Sequence, residues 1–100
     1  MGFKEVKERA IECIKCDQVR HVERYLDKNL FASGAISPEE MIQIIGSCRG
    51  DCYETNKHHF LDTDVHIFKP RGKYDGLYIK FFFVEPDILF ISVHQSDYRG

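Results

Sequence analysis

The sequence predicts a single α+β domain over residues 1–100, with N-terminal helices packed on one face of a C-terminal antiparallel sheet. Three observations lead to this fold class. The chain has 100 residues, the size of one small domain. In the first half, apolar residues recur at three- and four-residue steps, as on one face of a helix. From residue 51 onward they alternate with polar residues, as in strands, and helices followed by strands are typical of α+β domains.

The N-terminal region predicts an amphipathic helix over residues 3–16. Its apolar face is made of Phe3, Val6, Ala10, Cys13 and Ile14. Asp17 is a residue type that caps helices, so it predicts the start of a second helix. The stripe of that helix is Val19, Val22, Tyr25, Leu26 and Leu30. The pattern leaves open whether one bent helix or two separate helices run here.

A further helix begins at residue 37. Ser37 is suited to be its N-cap, Pro38 occupies the first helical position, and Glu40 completes a capping box. The apolar face that follows consists of Met41, Ile42, Ile44 and Ile45. Gly46 fits a C-terminal stop.

The second half predicts four strands, at residues 51–58, 64–69, 77–84 and 88–95. The last two are joined by Glu85-Pro86-Asp87 and form a hairpin. A three-residue loop brings both apolar rows of the hairpin to one face, because side chains alternate along a strand. The pairs predicted by that register are Val84–Ile88, Phe82–Phe90, Lys80–Ser92 and Tyr78–His94. The rows assigned to the core are Leu77, Ile79, Phe81 and Phe83 on one strand, and Leu89, Ile91 and Val93 on the other.

The opposite face of this hairpin then carries Tyr78, Lys80, Ser92 and His94 side by side. His66 and Phe68 join that face if the preceding loop has odd length. Such residues are ordinary on the solvated face of an antiparallel sheet. A phenol, an ammonium and an imidazole this close together can also bind a phosphate and move its protons. Aromatic faces for base stacking come from Phe68, Tyr78 and Phe90.

Charge restricts the classes of partner. With 14 basic and 16 acidic residues, the net charge is −2, which excludes a uniformly basic nucleic-acid coat. Any phosphate-binding surface must therefore be a local patch. Its candidate residues are Lys69, Arg71, Lys73 and Lys80, and an ordinary solvated hairpin loop is the alternative.

The four cysteines allow two interpretations. Cys13, Cys16, Cys48 and Cys52 together could hold one Zn²⁺. Cys13 and Cys16, however, lie within a helical pattern, and free cysteines are often small buried residues. The second interpretation is favoured, so no metal and no cofactor is expected. No apolar run approaches a membrane span and the N-terminus lacks the apolar stretch of a signal peptide, so a cytoplasmic protein without membrane contact is expected.

Three segments carry a resemblance to a known family. They are DCYET (51–55), IFKPR (67–71) and LYIKFFFVEPDILFISVH (77–94). Together they resemble the MqsR family of toxins, which are small mRNA-cleaving ribonucleases of bacterial type II toxin–antitoxin pairs. The resemblance extends over nearly the whole chain, with QVR (18–20) and the helix ending at residues 45–46 at similar spacing.

The resemblance implies a RelE-like fold, metal-independent cleavage of RNA that is free or on the ribosome, and a cognate antitoxin protein as partner. By position, Tyr78 and Lys80 match the tyrosine and lysine of the family's sheet. His94 stands in place of a late lysine, which preserves proton transfer. Glu54 replaces a lysine and Val65 replaces a glutamine, and neither preserves the chemistry. Lys57, His58 and His59 are either substitutes for that lost cation or ordinary strand-end residues.

Two functions from different classes remain open on the sequence. The first is a toxin-type endoribonuclease with Tyr78, His94 and Lys80 as catalytic residues. Its RNA-binding residues are Phe68, Lys69, Arg71 and Lys73. The second is a catalytically inactive relative that binds a protein or RNA through the sheet face or the edge strand at 51–58.

Overall fold

The computed structural model describes residues 2–22, 29–57 and 63–95. Within these ranges there are two helices and five strands: α1 (Phe3–Lys15), β1 (Val19–His21), α2 (Pro38–Ser47), β2 (Tyr53–Lys57), β3 (Asp64–Phe68), β4 (Leu77–Val84) and β5 (Asp87–Gln95). Single 3-10 turns at Gly50–Cys52 and Gly72–Tyr74 precede β2 and β4. Neither helix in the described ranges has the length and apolar character needed to cross a bilayer.

The five strands form one sheet in the order β1-β5-β4-β3-β2. The four strands of the C-terminal half are antiparallel neighbours, and β1 adds to β5 in parallel. The α+β prediction is therefore confirmed, with helices on the sheet as expected. The C-terminal strands are antiparallel as expected, and the N-terminal half adds one parallel edge strand that the sequence analysis did not predict.

That parallel strand stands where a second helix was predicted. Asp17 does not cap a new helix; it adopts the left-handed conformation (φ 57°) just after α1. The backbone N–H of Gln18 donates to the carbonyl of Cys13 at 2.8 Å, and that of Asp17 donates to Ile14 at 3.2 Å. This is the pattern of a Schellman stop, which reverses the chain direction. The predicted helical residues Tyr25 and Leu26 lie outside the described residues.

The helix predicted at residue 37 is confirmed. The Ser37 hydroxyl accepts a hydrogen bond from the backbone N–H of Glu40 at 3.1 Å, and Pro38 is the first helical residue. The helix continues one residue beyond Gly46 and ends at Ser47. Its buried side chains are Met41, Ile44 and Ile45, as the apolar pattern predicts.

The β4–β5 hairpin has the predicted register at its open end and a different register near the turn. Tyr78 pairs with His94 and Lys80 pairs with Ser92. The register then shifts between Lys80 and Phe81, so Ile91 is an extra residue in β5. The connection is the two-residue turn at 85–86 rather than a three-residue loop. Near the turn the pairs are therefore Phe81–Phe90, Phe82–Leu89, Phe83–Ile88 and Val84–Asp87.

The bulge decides which side chains of β5 enter the core. Phe90 and Ile88 are fully buried with Val93, whereas Leu89 and Ile91 are half-buried. The prediction that Leu89 and Ile91 line the core is wrong, because it assumed one uniform alternation along the strand. A bulge inserts one residue and reverses the alternation beyond it.

The core lies between the sheet and the two helices. Phe90 contacts Phe31 and Phe81 with ring centroids 5.0 and 5.6 Å apart. At the turn end, Arg9 of α1 forms an ion pair with Glu85 and lies 4.5 Å from the ring centre of Phe83. These contacts hold α1 over one face of the sheet. The opposite face carries the polar side chains of β4 and β5 at the open end of the hairpin, and it also contains the buried side chains of Val65, Ile67 and Phe82.

His66 and Phe68 do not join the face of Tyr78 and His94, because the connection between β3 and β4 has eight residues and the condition of an odd length is not met. His66 pairs with Phe81 and Phe68 pairs with Ile79, so both residues point to the helix-covered side. Phe68 is completely buried, and its ring lies 5.6 Å from that of Phe81. Phe90 is likewise fully buried. Neither ring has a free face on which a base could stack.

The bulge predicts losses of different size for two neighbouring residues of β5. Phe90→Ala removes a fully buried ring and should lower the free energy of unfolding by about 3–5 kcal/mol. Leu89→Ala is the matched control on the other face and should cost markedly less. Chemical denaturation of both variants measures the difference. A larger loss for Leu89→Ala would contradict the register described here.

Candidate functional site

The open end of the β4–β5 hairpin places a phenol against an imidazole. The rings of Tyr78 and His94 are stacked, with centroids 5.1 Å apart and planes inclined by 19°. Tyr78 is half-buried and His94 is exposed. Directly paired residues on two strands have neighbouring side chains, so the contact follows from the register. The predicted juxtaposition of these two side chains is therefore confirmed.

The His94 ring has one nitrogen near the backbone. Its Nδ1 lies 3.3 Å from the carbonyl oxygen of Gln95. When Nδ1–H donates to that carbonyl, Nε2 carries the lone pair and is the basic nitrogen of the ring. This tautomer makes Nε2 the atom that can accept a proton from a ligand.

Lys80 lies on the same face as the stacked pair. It lies two positions after Tyr78 along β4, which corresponds to about 7 Å. It is half-buried and pairs with Ser92 on one side and with Ile67 on the other. The three predicted catalytic side chains thus occupy adjoining positions on the face opposite the helices.

A groove of about 360 Å³ opens beside Tyr78. It is walled by the segment that follows β3, by the start of β2 and by the turn before β4. The lining residues are Asp51, Cys52, Glu54, Lys69, Pro70, Arg71, Asp75, Gly76, Leu77 and Tyr78. Two of the predicted RNA-binding cations, Lys69 and Arg71, are therefore next to the predicted catalytic tyrosine.

Both of these cations are paired with carboxylates. Lys69 Nζ donates to Glu54 Oε2 at 2.8 Å and lies 5.9 Å from the centre of the Tyr78 ring. Arg71 Nη1 lies 3.4 Å from Asp51 Oδ2. All four partners are exposed. The groove therefore has alternating charges rather than a uniformly positive wall.

Gly76 fixes the turn that forms one wall of the groove. Its φ is +90°, a conformation that side chains rarely adopt. An added Cβ would stand 2.8 Å from Nε2 of Gln95. That amide donates to the backbone carbonyl of Asp75 at 3.1 Å and so ties the turn to the end of β5.

The remaining predicted residues lie elsewhere. Lys73 is exposed in the 3-10 turn, with its Nζ 5.5 Å from the Tyr74 ring centre, and it lines a separate depression of about 240 Å³ beside α2. Val65, which replaces a glutamine in the resemblance, is buried. Lys57 is exposed at the end of β2. His58 and His59 lie outside the described residues.

The four cysteines are not brought together in one cluster. Within residues 2–22, 29–57 and 63–95 there is no cluster of three or more metal-ligating side chains. Cys13, Cys48 and Cys52 are buried and Cys16 is exposed. Burial raises the pKa of the Cys48 thiol to about 11, which keeps it protonated. The interpretation of these residues as small buried side chains fits three of the four.

The sequence reasoning missed a second tyrosine–histidine pair, on the helix-covered side. The hydroxyl of Tyr53 and Nδ1 of His66 are 2.8 Å apart. His66 is almost completely buried among the rings of Tyr53, Phe81 and Phe83. Burial lowers the pKa of His66 and raises that of Tyr53. The alternation of β3 could have predicted the burial of His66, because residues 66 and 68 lie on the same face of the strand and Phe68 is an apolar core residue type.

His21 is another histidine of the covered side. Its ring is stacked on Phe90 at 5.8 Å and meets Phe31 edge-on at 5.3 Å. Nδ1 of His21 is buried and has no hydrogen-bond partner among the described residues. Burial lowers the pKa of this ring as well.

Comparison of the chain with protein-family models, with curated proteins and with solved structures found no match.

Stability should fall as the pH is lowered, because His66 is buried in its neutral form. The unfolded chain takes up a proton on this imidazole below about pH 6.5, whereas the folded chain resists protonation. Proton binding therefore stabilises the unfolded state relative to the folded state as the pH falls. The free energy of unfolding should therefore be highest above that pH and decrease below it. His66→Gln should show a weaker pH dependence, with the remaining part due to His21.

Urea denaturation of both proteins between about pH 7.5 and 5.5 measures this difference in slope. Equal slopes for the original protein and His66→Gln would contradict a buried neutral His66.

Proposed function

We propose that the protein is a toxin-type endoribonuclease that cleaves single-stranded mRNA without a metal ion. The observation that carries the proposal is the stacked pair of Tyr78 and His94 on the face opposite the helices, beside a groove that contains Lys69 and Arg71. A base, a proton donor and two cations are the groups that RNA cleavage by its own 2′-hydroxyl needs.

In the proposed reaction, Nε2 of His94 takes the proton from the 2′-hydroxyl. The 2′-oxygen attacks the adjacent phosphorus, and the bond between phosphorus and the 5′-oxygen breaks. The Tyr78 hydroxyl protonates the departing 5′-oxygen. The products are a 2′,3′-cyclic phosphate and a 5′-hydroxyl, and Lys80 and Arg71 stabilise the charge of the pentacoordinate phosphorane.

The resemblance of the sequence to the MqsR family supports the same reaction class and extends the proposal. It adds a RelE-like fold, a cytoplasmic location, an RNA substrate that is free or ribosome-bound, and neutralisation by a cognate antitoxin. Tyr78 and Lys80 match the pattern of that family, and His94 replaces its late lysine with another side chain that can carry a proton.

A second candidate function is a catalytically inactive binding module for a protein or an RNA. The observation that favours it is the pairing of both groove cations with carboxylates, at 2.8 Å for Lys69 and 3.4 Å for Arg71. Phosphate binding depends on cations that neutralise the backbone charge. Induction of the protein in bacteria separates the two functions, since growth arrest supports the toxin and normal growth supports the module.

Cleavage of a labelled single-stranded RNA by purified protein tests the site assignment. His94→Ala and Tyr78→Phe should each lower the cleavage rate by about 10²–10⁴-fold, the range for loss of a general acid or base. Ser92→Ala is the matched control, because it changes the same sheet face without removing a proton-transfer group. It should retain the rate.

The assay is carried out with a chelator present, so that contaminating metal-dependent nucleases do not contribute. Undiminished cleavage by both His94→Ala and Tyr78→Phe would contradict the assignment of these residues.

A further inference from the structure

We infer that Glu54 and Asp51 compete with RNA phosphates for the two cations of the groove, and that they thereby set the affinity of the site for its substrate. This inference rests on the proposed function and concerns the binding step rather than the chemistry. The two carboxylates occupy the positions that phosphate oxygens would take beside Lys69 and Arg71. RNA must displace them before both cations can contact its backbone.

The two ion pairs have a common structural origin. Both carboxylates come from the edge of the sheet, Glu54 from β2 and Asp51 from the turn before it. Both cations come from the segment that follows β3. The backbone N–H of Lys69 also donates to the carbonyl of Cys52 at 2.8 Å. The backbone of this segment is therefore held against the start of β2, while the charged ends of the side chains meet in the groove.

The exposure of the pairs makes the exchange feasible. The side chains of Lys69 and Glu54 are 51% and 53% exposed, and those of Arg71 and Asp51 are 68% and 62% exposed. Exposed ion pairs contribute little stability, because water and salt screen them. A phosphodiester carries one negative charge shared by two oxygens, as a carboxylate does, so it can take the place of the carboxylate beside a cation.

The competition also accounts for how an acidic chain can present a phosphate-binding groove. With RNA absent, the pairs neutralise Lys69 and Arg71 and limit the attraction of other anions to this surface. With RNA present, the displaced carboxylates remain near the backbone and oppose it by like-charge repulsion. Glu54 and Asp51 therefore lower the affinity in two ways, and each can be removed by one isosteric substitution.

Fluorescence anisotropy with a fully 2′-O-methylated RNA oligonucleotide measures this binding step alone, because the probe lacks the attacking hydroxyl. Glu54→Gln and Asp51→Asn should each tighten binding by about two- to fivefold, which corresponds to the strength of an exposed ion pair. Asp75→Asn is the matched control. It removes the same charge from another wall of the same groove, the turn before β4, and should change the affinity less.

A double-mutant cycle separates competition from a general change of charge. Glu54→Gln should lose most of its effect in a Lys69→Met background, because the cation that it releases is absent. A gain that persists in that background, or a gain equal to that of Asp75→Asn, would overturn the inference. Equal affinity of Glu54→Gln, Asp51→Asn and the original protein would overturn it as well.

The proposed function is tested separately by cleavage of unmodified RNA. Cleavage that depends on Tyr78 and His94 would stand even if the substitutions of Glu54 and Asp51 left the affinity unchanged. Tighter binding by these variants with no cleavage in any protein would instead support the competition and contradict the nuclease.

Discussion

The single extra residue in β5 is the constraint on which the arrangement of the sheet depends. Ile91 lets the strand present Val93 to the core at one end and Phe90 and Ile88 at the other. Without the shift, the register that pairs Tyr78 with His94 would carry Phe90 to the opposite face and place Ile91 beside Phe81 in the core. The bulge thus combines a fully packed core with a stacked phenol and imidazole on the opposite side.

Local signals predicted most of the fold. The cap at Ser37, the apolar face of α1 and the alternation of β4 each agree with the structure, because short-range chemistry determines them. The strand at Val19–His21 was not predictable in this way. Its three residues also fit a helical stripe, and only the hydrogen bonds with β5 decide between the two. The left-handed conformation of Asp17 is likewise a product of the chain reversal that those bonds require.

The residues of the candidate site also divide into those that local patterns predict and those that depend on contacts between distant parts of the chain. Tyr78, Lys80 and His94 were predictable because two paired strands fix their relative positions. Phe68 was misplaced, since its face depends on the register between β3 and β4, which the sequence does not specify. The pairing of Lys69 with Glu54 joins residues 15 apart in sequence, and the sequence alone offered no signal that these two side chains would meet. The bulge at Ile91 was missed for a similar reason, because apolar residues stand on both faces near the turn.

The stacked rings, the paired cations and the edge strand form one functional surface in this account. Its most direct test is the chemistry of the RNA ends that the purified protein produces in the presence of a chelator, determined by mass spectrometry. The account predicts a 2′,3′-cyclic phosphate on one fragment and a 5′-hydroxyl on the other, both absent after His94→Ala. A 5′-phosphate with a 3′-hydroxyl, or intact RNA, would contradict it.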